Sequence, residues 1–381
     1  MTILTQSQKQ DFLARGFSRR SFGRIGALLG AGAALPFYNE PALAQLSRLR
    51  TPLPPGAVKI NANENPQGPC TAALEAMRLA LVDGGRYQYE ETFAFAQTLA
   101  EQAGVPANYV LPFAGSSDPL HRVVLAYTSP EKTFVTADPG YEAGERAARY
   151  IGAKVVKVPL TKTYGHDVKG MLAAGDGAGV FYICNPNNPT GTVTSRADIE
   201  YLLANKPAGS ILLLDEAYIH FTEEPFGTDL VAKDKDVIVL RTFSKLYGMA
   251  GLRAGAAIGR PDLLAKIMNY GAGALPATGM AGAKASLLSK GLVSERRASV
   301  KEIREEQFAF LEKKKIAYVP SVSNKFMIDV KMPATDFIKK MQEKKIFVGR
   351  SWPAWPTHVR ITVGTAEEMK KFQLAIAEVM S

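Results

Sequence analysis

Residues Arg241 to Arg253 have the sequence RTFSKLYGMAGLR, and they follow an apolar run, Val237 to Leu240, that is typical of a buried strand. Lys245 therefore comes just after a buried strand, where its ammonium would lose hydration without a partner. Desolvation lowers the pKa of a lysine, and a neutral amine forms a Schiff base with an aldehyde. Ser244 and Arg253 would then hold the phosphate of that aldehyde, which indicates pyridoxal phosphate. Taken alone, the stretch is also consistent with a solvated basic loop.

A carboxylate ends the apolar run from Ile211 to Asp215. Four consecutive aliphatic residues predict a parallel strand buried on both faces. Asp215 then lies at the carboxyl end of a strand, where open α/β sheets bind ligands. Pyridoxal phosphate needs a carboxylate against its pyridine nitrogen, so that the protonated ring accepts electrons. Tyr218 would bond the ring hydroxyl. The alternative is that Asp215 caps the next helix.

A second apolar run, Val180 to Cys184, precedes the turn Asn185 to Gly191, which has the sequence NPNNPTG. Two prolines and three asparagines in seven residues cannot continue a strand or a helix. Asn188 would offer its amide to the ring oxygen of the cofactor, although a plain surface turn explains the composition equally well. The order of turn amide, strand-end Asp and Lys favours the cofactor site.

Two further loops are candidates for cofactor contacts. Small residues around Ser116 and Ser117 precede a helical pattern, and a helix start leaves backbone N–H groups available to an anion. We therefore predict a phosphate-binding loop there, with an ordinary helix N-cap as the alternative. Tyr141 follows the β-like run Thr133 to Thr136, and it either stacks on the pyridine ring or is a turn tyrosine.

Five segments in this order resemble the aminotransferases of pyridoxal-phosphate fold type I, and among them the histidinol-phosphate aminotransferases. The similarity extends from about Lys59 to the C-terminus. It implies pyridoxal 5′-phosphate as the cofactor and an α/β fold, with a mostly parallel central sheet flanked by helices and a smaller C-terminal α/β domain. The segments are NENPQGP (63–69), CNPNNPTG (184–191), DEAYIHF (215–221), RTFSKLYGMAGLR (241–253) and VRITVGT (359–365).

The resemblance implies a catalytic group of three residues. Lys245 would link the cofactor and move the proton at the substrate carbon. Asp215 would pair with the pyridine nitrogen, and Tyr218 would bond the ring oxygen together with Asn188. Tyr141 would stack on the ring.

The resemblance also implies residues at the two ends of the bound molecules. Substrate binding is assigned to Arg360, Asn63 and Asn188. A planar guanidinium suits a substrate carboxylate or phosphate, because its paired donors bind either anion bidentately. A cation on the sheet surface is the alternative for Arg360. The cofactor phosphate would be held by Ser116, Ser117, Ser244, Arg253 and, from the second subunit of a homodimer, Tyr87.

The sequence departs from the family pattern at three places. Lys325 separates Asn324 from Phe326, where Asn-Phe is expected directly. His220 stands where Glu is usual, and Tyr247 replaces a smaller residue. Tyr247 and His220 would line an altered substrate pocket, or they are neutral changes. These differences leave pyridoxal-phosphate chemistry intact and put histidinol phosphate in doubt as the substrate.

The N-terminus predicts export. Ser18 to Phe22 (SRRSF) is a twin-arginine signature, and the weakly apolar run Ile25 to Leu35 is too short to span a bilayer. Pro41 to Ala44 supplies an A-x-A cleavage site, which predicts a mature start near Gln45. We expect a periplasmic enzyme without stable membrane insertion after cleavage, or a cytoplasmic one if the signal is not used. A disordered or membrane-tethering tail is the alternative.

Composition narrows the remaining classes. The 381 residues carry a net charge of +10, but no recognition motif accompanies this charge, so nucleic-acid binding is unsupported. Four separated histidines lack metal-ligand spacing, and we predict no metal site. The two cysteines, Cys70 and Cys184, are expected to be free thiols.

The predicted organisation has four parts. Residues 1–44 are the signal peptide and stand outside the fold, and residues 45–73 form a Pro-rich arm lying across the active site. Residues 74–261 alternate apolar runs with helical segments and form the large cofactor-binding domain. Residues 262–381 form the small C-terminal domain, beginning with a helical region that includes the charged segment 295–315.

Two function classes follow from these motifs. The first is an aminotransferase that moves an amino group between an amino acid, or a histidinol-phosphate-like amine, and a 2-oxo acid in a ping-pong cycle. A variant with the same groups eliminates or cyclises an amino-acid side chain. Export fits histidine biosynthesis poorly, so a different amine is expected. The second class is a periplasmic binding protein without chemistry, and the intact Lys245, Asp215 and Arg253 speak against it.

Overall fold

The computed structural model describes residues 4–31, 53–271 and 274–380. The predicted cleavage site, the predicted mature start at Gln45 and the first residues of the predicted arm lie outside these ranges. Cys70 and Cys184 are free thiols.

The secondary structure alternates as the sequence pattern indicates. The strands are β1 (Val58–Ile60), β2 (Val110–Phe113), β3 (Thr133–Asp138), β4 (Val155–Pro159), β5 (Ala178–Cys184), β6 (Ile211–Asp215), β7 (Val237–Thr242), β8 (Gly255–Gly259), β9 (Tyr318–Val319), β10 (Lys325–Asp329), β11 (Ile346–Val348) and β12 (His358–Thr362). The helices are α1 (Gln6–Ala14), α2 (Ser21–Ala31), α3 (Thr71–Val82), α4 (Tyr89–Ala103), α5 (Ser117–Tyr127), α6 (Ala143–Ile151), α7 (Val168–Ala174), α8 (Arg196–Asn205), α9 (Thr228–Ala232), α10 (Pro261–Met268), α11 (Ala277–Leu288), α12 (Leu292–Lys313), α13 (Ala334–Glu343) and α14 (Ala366–Val379).

A large sheet carries the core. Seven strands of the described ranges form it in the order β2-β8-β7-β6-β5-β3-β4. All neighbours are parallel except that β8 runs antiparallel to both β2 and β7. Strands β5, β6 and β7 are buried along their whole length, because helices cover both faces of a sheet wound by strand–helix–strand connections. The predicted mostly parallel α/β sheet is confirmed.

A second α/β layer follows at the C-terminal end. Strands β12, β10 and β9 form an antiparallel sheet, and α12, α13 and α14 pack in this half of the chain. Helices α10 and α11 precede it in the chain, but they contact α5 and α3 respectively, on the large layer. The domain boundary predicted at residue 262 stays a prediction, although the change of packing partner comes at α12.

The arm joins the second layer through a short strand. Strand β1 pairs in parallel with β11 and places Asn61 to Asn63 directly after this pairing. Thr362, at the end of β12, accepts a hydrogen bond from the backbone N–H of Asn63 at 2.9 Å. The arm is therefore fixed to the C-terminal sheet before it reaches the large domain.

The N-terminal segment differs from the expectation that it stands outside the fold. Helix α2 contacts α6, and the side chains of Phe12, Phe17, Ile25 and Leu28 are buried in the main hydrophobic cluster. Arg15 donates to the carbonyl oxygens of Leu125 and Thr128, at the end of α5. The segment docks because its apolar side chains remove area from water. Within the described ranges, no helix has the length and apolar character that crossing a membrane requires.

Candidate active site

A cavity of about 700 Å³ opens at the carboxyl ends of the central strands. Parallel strands end at the same edge, so β5, β6 and β7 bring Cys184, Asp215 and Thr242 to one wall. The loop before α5 supplies another wall. Nine of the predicted residues line the cavity: Ser116, Ser117, Tyr141, Asn188, Asp215, Tyr218, Ser244, Lys245 and Arg253.

Lys245 lies in the turn that follows β7 and is 8% exposed. Its Nζ donates to the carbonyl oxygen of Ala62, in the arm, at 3.1 Å. The turn is held close to the arm at Gly248, whose φ of +69° suits glycine. A Cβ at this position would lie 2.1 Å from the carbonyl oxygen of Gly68, so only glycine fits the approach.

Asp215 is a desolvated carboxylate at the end of β6, with 3% of the residue exposed. Tyr182 donates its hydroxyl to Oδ2 at 2.9 Å, and the backbone N–H of Ala217 donates to Oδ1 at 3.1 Å. Burial raises the pKa of Asp215 to about 6, although both hydrogen bonds and the charge of Lys245 oppose the shift. Sequence reasoning missed Tyr182; the available signal was a tyrosine inside a fully buried strand, because a buried phenol needs a partner.

The phosphate end of the cavity is built from two loops. Ser116 is the N-cap residue of α5, but its side chain makes no capping hydrogen bond, which favours the anion-binding alternative over an ordinary cap. Arg253 donates through Nη1 to Ser244 Oγ at 3.2 Å and through Nη2 to the carbonyl of Ala114 at 3.1 Å. Gly115 has a φ of +90°, which favours glycine, and a Cβ there would displace the guanidinium of Arg253, whose Nη2 would lie 2.2 Å away.

The ring-oxygen end connects the large sheet with the arm and β12. Asn63 Nδ2 donates to the Tyr218 hydroxyl at 2.9 Å. Arg360, fully buried, donates from Nη1 to Asn188 Oδ1 at 2.9 Å and from Nη2 to the carbonyl of Asn61 at 2.6 Å. Arg360 is thus not a cation on the sheet surface. Of the three predicted substrate residues, Asn188 lines the cavity, whereas Asn63 and Arg360 are not among the described residues that line it and reach it through Tyr218 and Asn188 respectively.

The two predicted aromatic contacts have different positions. Tyr141 is nearly buried and lines the cavity, two residues after the cis peptide bond between Asp138 and Pro139. Tyr87 is 72% exposed and stacks on Tyr89 at 5.6 Å between ring centroids. Tyr87 is not among the described residues that line the cavity, and its contact with a cofactor requires a second subunit.

His220 and Tyr247 border a different cavity. This space of about 250 Å³ is also lined by Phe226 and Arg241. His220 packs against Tyr247 with ring centroids 5.1 Å apart, and burial holds the pKa of His220 well below its usual value. In the part of the chain that the structure describes, neither residue lines the cavity that holds Lys245, so the hypothesis that they line the substrate pocket stays a prediction.

Two cations near the site were not assigned a role from the sequence. Lys325, on β10, is fully buried against Tyr218. Arg350 pairs with Glu142, and its guanidinium carbon lies 4.0 Å from the Trp352 ring centroid. In the sequence, Lys325 was noticed only as a departure from the expected Asn-Phe pair. No motif in the sequence indicated a role for Arg350.

The residues present fit pyridoxal phosphate. The cavity has an anion-binding end, a desolvated carboxylate and an amine, which match the cofactor's phosphate, ring nitrogen and aldehyde. Burial lowers the pKa of the Arg253 guanidinium, so an anion there would compensate for lost hydration. Among the described residues, no group of His, Cys, Asp and Glu side chains is arranged to hold a metal ion.

The carboxylate of Asp215 should make the cofactor-free protein less stable as the pH rises. Its folded-state pKa of about 6 lies above the ordinary aspartate value of 3.8, so the folded state binds the proton more tightly than the unfolded chain does. The loss of folding free energy from burying the charged carboxylate is absent below about pH 4 and is complete above about pH 6. Asp215→Asn should remove this cost, on the order of 1 to 3 kcal/mol. Urea unfolding of both cofactor-free proteins at about pH 4 and about pH 8 measures it.

The control for this measurement is Asp336→Asn, which neutralises an exposed carboxylate at the start of α13. It should leave the difference between the two pH values unchanged. The same pH dependence in wild type and Asp215→Asn would contradict the assignment of a desolvated carboxylate.

The chain matches known proteins along most of its length. Residues 55–376 match the family model Aminotransferase class I and II. A histidinol-phosphate aminotransferase from Symbiobacterium thermophilum is 33% identical over 325 residues, which cover 84% of this chain and 89% of the relative.

Solved structures of other proteins are similar to this chain along most of its length. A histidinol-phosphate aminotransferase from Sinorhizobium meliloti in complex with pyridoxal-5′-phosphate superposes with a TM-score of 0.80 at 27% identity, covering 92% of this chain and 96% of that one. An L-threonine-O-3-phosphate decarboxylase from Porphyromonas gingivalis, at 21% identity and a TM-score of 0.72 over 84% of this chain and 98% of that one, shares the fold. This chain belongs to the aminotransferase class I and II family, a family of pyridoxal-phosphate-dependent enzymes.

Proposed function

We propose that the protein transfers an amino group between an amino acid, or an amine resembling histidinol phosphate, and a 2-oxo acid, in a ping-pong cycle. The observation that carries the proposal is the single cavity that joins Lys245, Asp215 and the anion-binding loop. Behind it, Arg360 is held by Asn188 through a hydrogen bond of 2.9 Å. This set provides one place for each part of the cofactor and one for a substrate anion.

The chain's own groups divide the work. When bound, pyridoxal phosphate supplies an electron sink for the pair left on the substrate carbon as its proton departs. The carboxylate of Asp215 keeps the ring nitrogen protonated, and the low-polarity surroundings strengthen that pairing. The Lys245 amine, beside the carbonyl of Ala62, takes the proton and returns it. Ser116, Ser117 and Arg253 bind the phosphate and fix the orientation.

Substrate recognition is assigned to Arg360. Its guanidinium is fully buried, and the hydrogen bonds to Asn188 and to the Asn61 carbonyl fix its plane. A fixed guanidinium binds a carboxylate or a phosphate bidentately, whereas a lysine would bind as a point charge. The same residue therefore accommodates an amino-acid carboxylate and a phosphorylated amine.

We also propose a homodimer in which Tyr87 contacts the cofactor of the other subunit. Apolar side chains on α3, on α4 and between them are exposed in the single chain, and a patch of this kind marks an interaction surface. The patch includes Tyr87, so formation of a dimer at this surface would cover Tyr87 together with its apolar neighbours. These residues are Leu74, Leu79, Leu81, Val82, Tyr87, Tyr89 and Phe93.

Export through the twin-arginine pathway, with a periplasmic final location, is part of the proposal. Arg19 and Arg20 are exposed, whereas the apolar side chains of the same segment are buried. The docked segment therefore leaves its paired arginines accessible to a receptor. Transport of a folded protein suits an enzyme whose cofactor is loaded before transit.

Lys245→Ala is expected to abolish the absorbance of the lysine-linked cofactor and to lower activity by at least about 10²-fold. Absorbance spectra of the cofactor-loaded proteins give the first result directly. The matched control is Lys235→Ala, an exposed lysine just before β7, which should leave the spectrum intact. An unchanged spectrum in Lys245→Ala would contradict its role as the nucleophile.

A spectral titration of the loaded protein with amino acids, including glutamate and histidinol phosphate, is the test of the reaction. The donor should convert the lysine-linked cofactor to its amine form, and a 2-oxo acid should reverse the change. The donor that does so names the substrate class. Ammonia release without the amine form would contradict aminotransfer and favour the elimination or cyclisation variant.

Arg19→Lys combined with Arg20→Lys should retain the protein in the cytoplasm, since a lysine pair keeps the charge but not the guanidinium donors. Fractionation of expressing cells, with detection of the cleaved form, measures this. Arg24→Lys changes an exposed arginine of the same segment and should not alter export. Continued export of the double variant would refute the signal-peptide proposal.

A further inference from the structure

Lys325 is a fully buried lysine on β10, beside the end of β12. Its Nζ donates to Ser323 Oγ at 3.0 Å, and the Ser323 hydroxyl lies 3.4 Å from that of Ser321. Moving an ammonium out of water is costly unless the surroundings compensate. A lysine kept at such a position calls for an explanation beyond packing.

The ammonium of Lys325 lies against the face of Tyr218. Its Nζ is 3.1 Å from the ring centroid, whereas Lys245 Nζ is 5.7 Å from the same centroid. The electron-rich face of an aromatic ring attracts a cation, most strongly where water is excluded. Tyr218 lines the cofactor cavity, but Lys325 is not among the described residues that do. Tyr218 therefore connects Lys325 with the cavity.

A cation at the face of a phenol stabilises negative charge on the phenol oxygen and so makes its O–H a stronger donor. Asn63 Nδ2 already donates to this oxygen at 2.9 Å, which increases the same effect. A phenol can accept a hydrogen bond and donate its own hydrogen at the same time. The partner assigned to this donor is the ring oxygen of pyridoxal phosphate.

Other titratable groups face the same region. Asp215 and Lys245 lie on the cavity wall, and Arg360 projects from β12. Cys184, at the end of β5, has its thiol pKa raised by burial and by Asp215, and the charge of Lys325 opposes that shift. Tyr182 lies here too: burial raises the pKa of its phenol, and Asp215, Cys184 and Tyr141 raise it further. Substituting Lys325 leaves all of these groups in place.

We propose that Lys325 is a positioning residue that acts through Tyr218: its ammonium strengthens the hydrogen bond from the phenol to the ring oxygen of the cofactor and thereby lowers the pH at which the Lys245-linked cofactor loses its proton. The ring oxygen holds the proton on the neighbouring linkage nitrogen, and a stronger bond from Tyr218 withdraws charge from that oxygen. The proton then leaves at lower pH. The inference rests on the bound cofactor in the proposed function and needs no amino donor.

The test is a pH titration of the absorbance of the loaded full-length protein, without substrate. Lys325→Met should raise the midpoint by about one pH unit, since a charge at this range shifts a titration by about that much or more. Lys325→Arg keeps the charge and should restore most of the wild-type midpoint. If Lys325→Met does not fold, Lys325→Gln removes the same charge and keeps a polar end that reaches Ser323.

The second arm repeats the substitution in a Tyr218→Phe background, where the phenol hydroxyl is absent. The midpoint should be high in Tyr218→Phe and should not rise further when Lys325→Met is added. An unchanged midpoint in Lys325→Met would overturn the proposal, and so would an equal shift in both backgrounds, because Lys325 would then act without Tyr218. A donor that fails to convert the cofactor would affect aminotransfer alone, since the midpoint is read before any donor is added.

Discussion

The site depends on a carboxylate that is kept out of water at the end of β6. Asp215 has two hydrogen-bond donors in the protein, Tyr182 and the N–H of Ala217, and still has a pKa raised to about 6. A buried carboxylate with this cost is stabilised by a cation, and a protonated pyridine ring is such a partner. The large sheet keeps water away from this carboxylate, because β5 and β7 flank β6 on either side.

The arm completes a cavity that the large sheet only begins, since Ala62 and Glu64 line it together with residues at the strand ends. The carbonyl of Ala62 receives Lys245, and the side chain of Asn63 reaches Tyr218. Both arm residues follow directly after β1, whose pairing with β11 fixes their position. The nucleophile and the ring-oxygen group are therefore positioned by contacts that cross from one layer to the other. This arrangement explains why Gly248 must pass so close to Gly68.

Two features of this chain lie outside the five motifs that carry the family resemblance. Lys325 stands beside Tyr218 where Asn-Phe was expected, and it adds a second ammonium to the region of the cofactor. In the N-terminal segment, α2 contacts α6 and Phe12 stacks on Tyr270, while Leu29 and Gly30 border the cofactor cavity. Lys325 brings a charge, and the N-terminal segment brings additional chain, to the region of the cofactor cavity.

The sequence by itself determined the order of buried strands, the turn motifs at their carboxyl ends and hence the α/β fold. These depend on local hydrophobic pattern and on turn residues, which act over short stretches of chain. It also identified Lys245, Asp215, Asn188 and Arg253, since each follows a strand end directly or within a short motif. Local pattern could not give the Tyr182 bond to Asp215, because that bond joins different strands.

Only the tertiary structure placed His220 and Tyr247 in a separate cavity, Lys325 against Tyr218, and α1 and α2 on the folded body. The physical reason is the same in each case. Burial and charge partners are set by residues distant in sequence, and the free energy of a buried cation or an apolar helix face depends on what is packed against it.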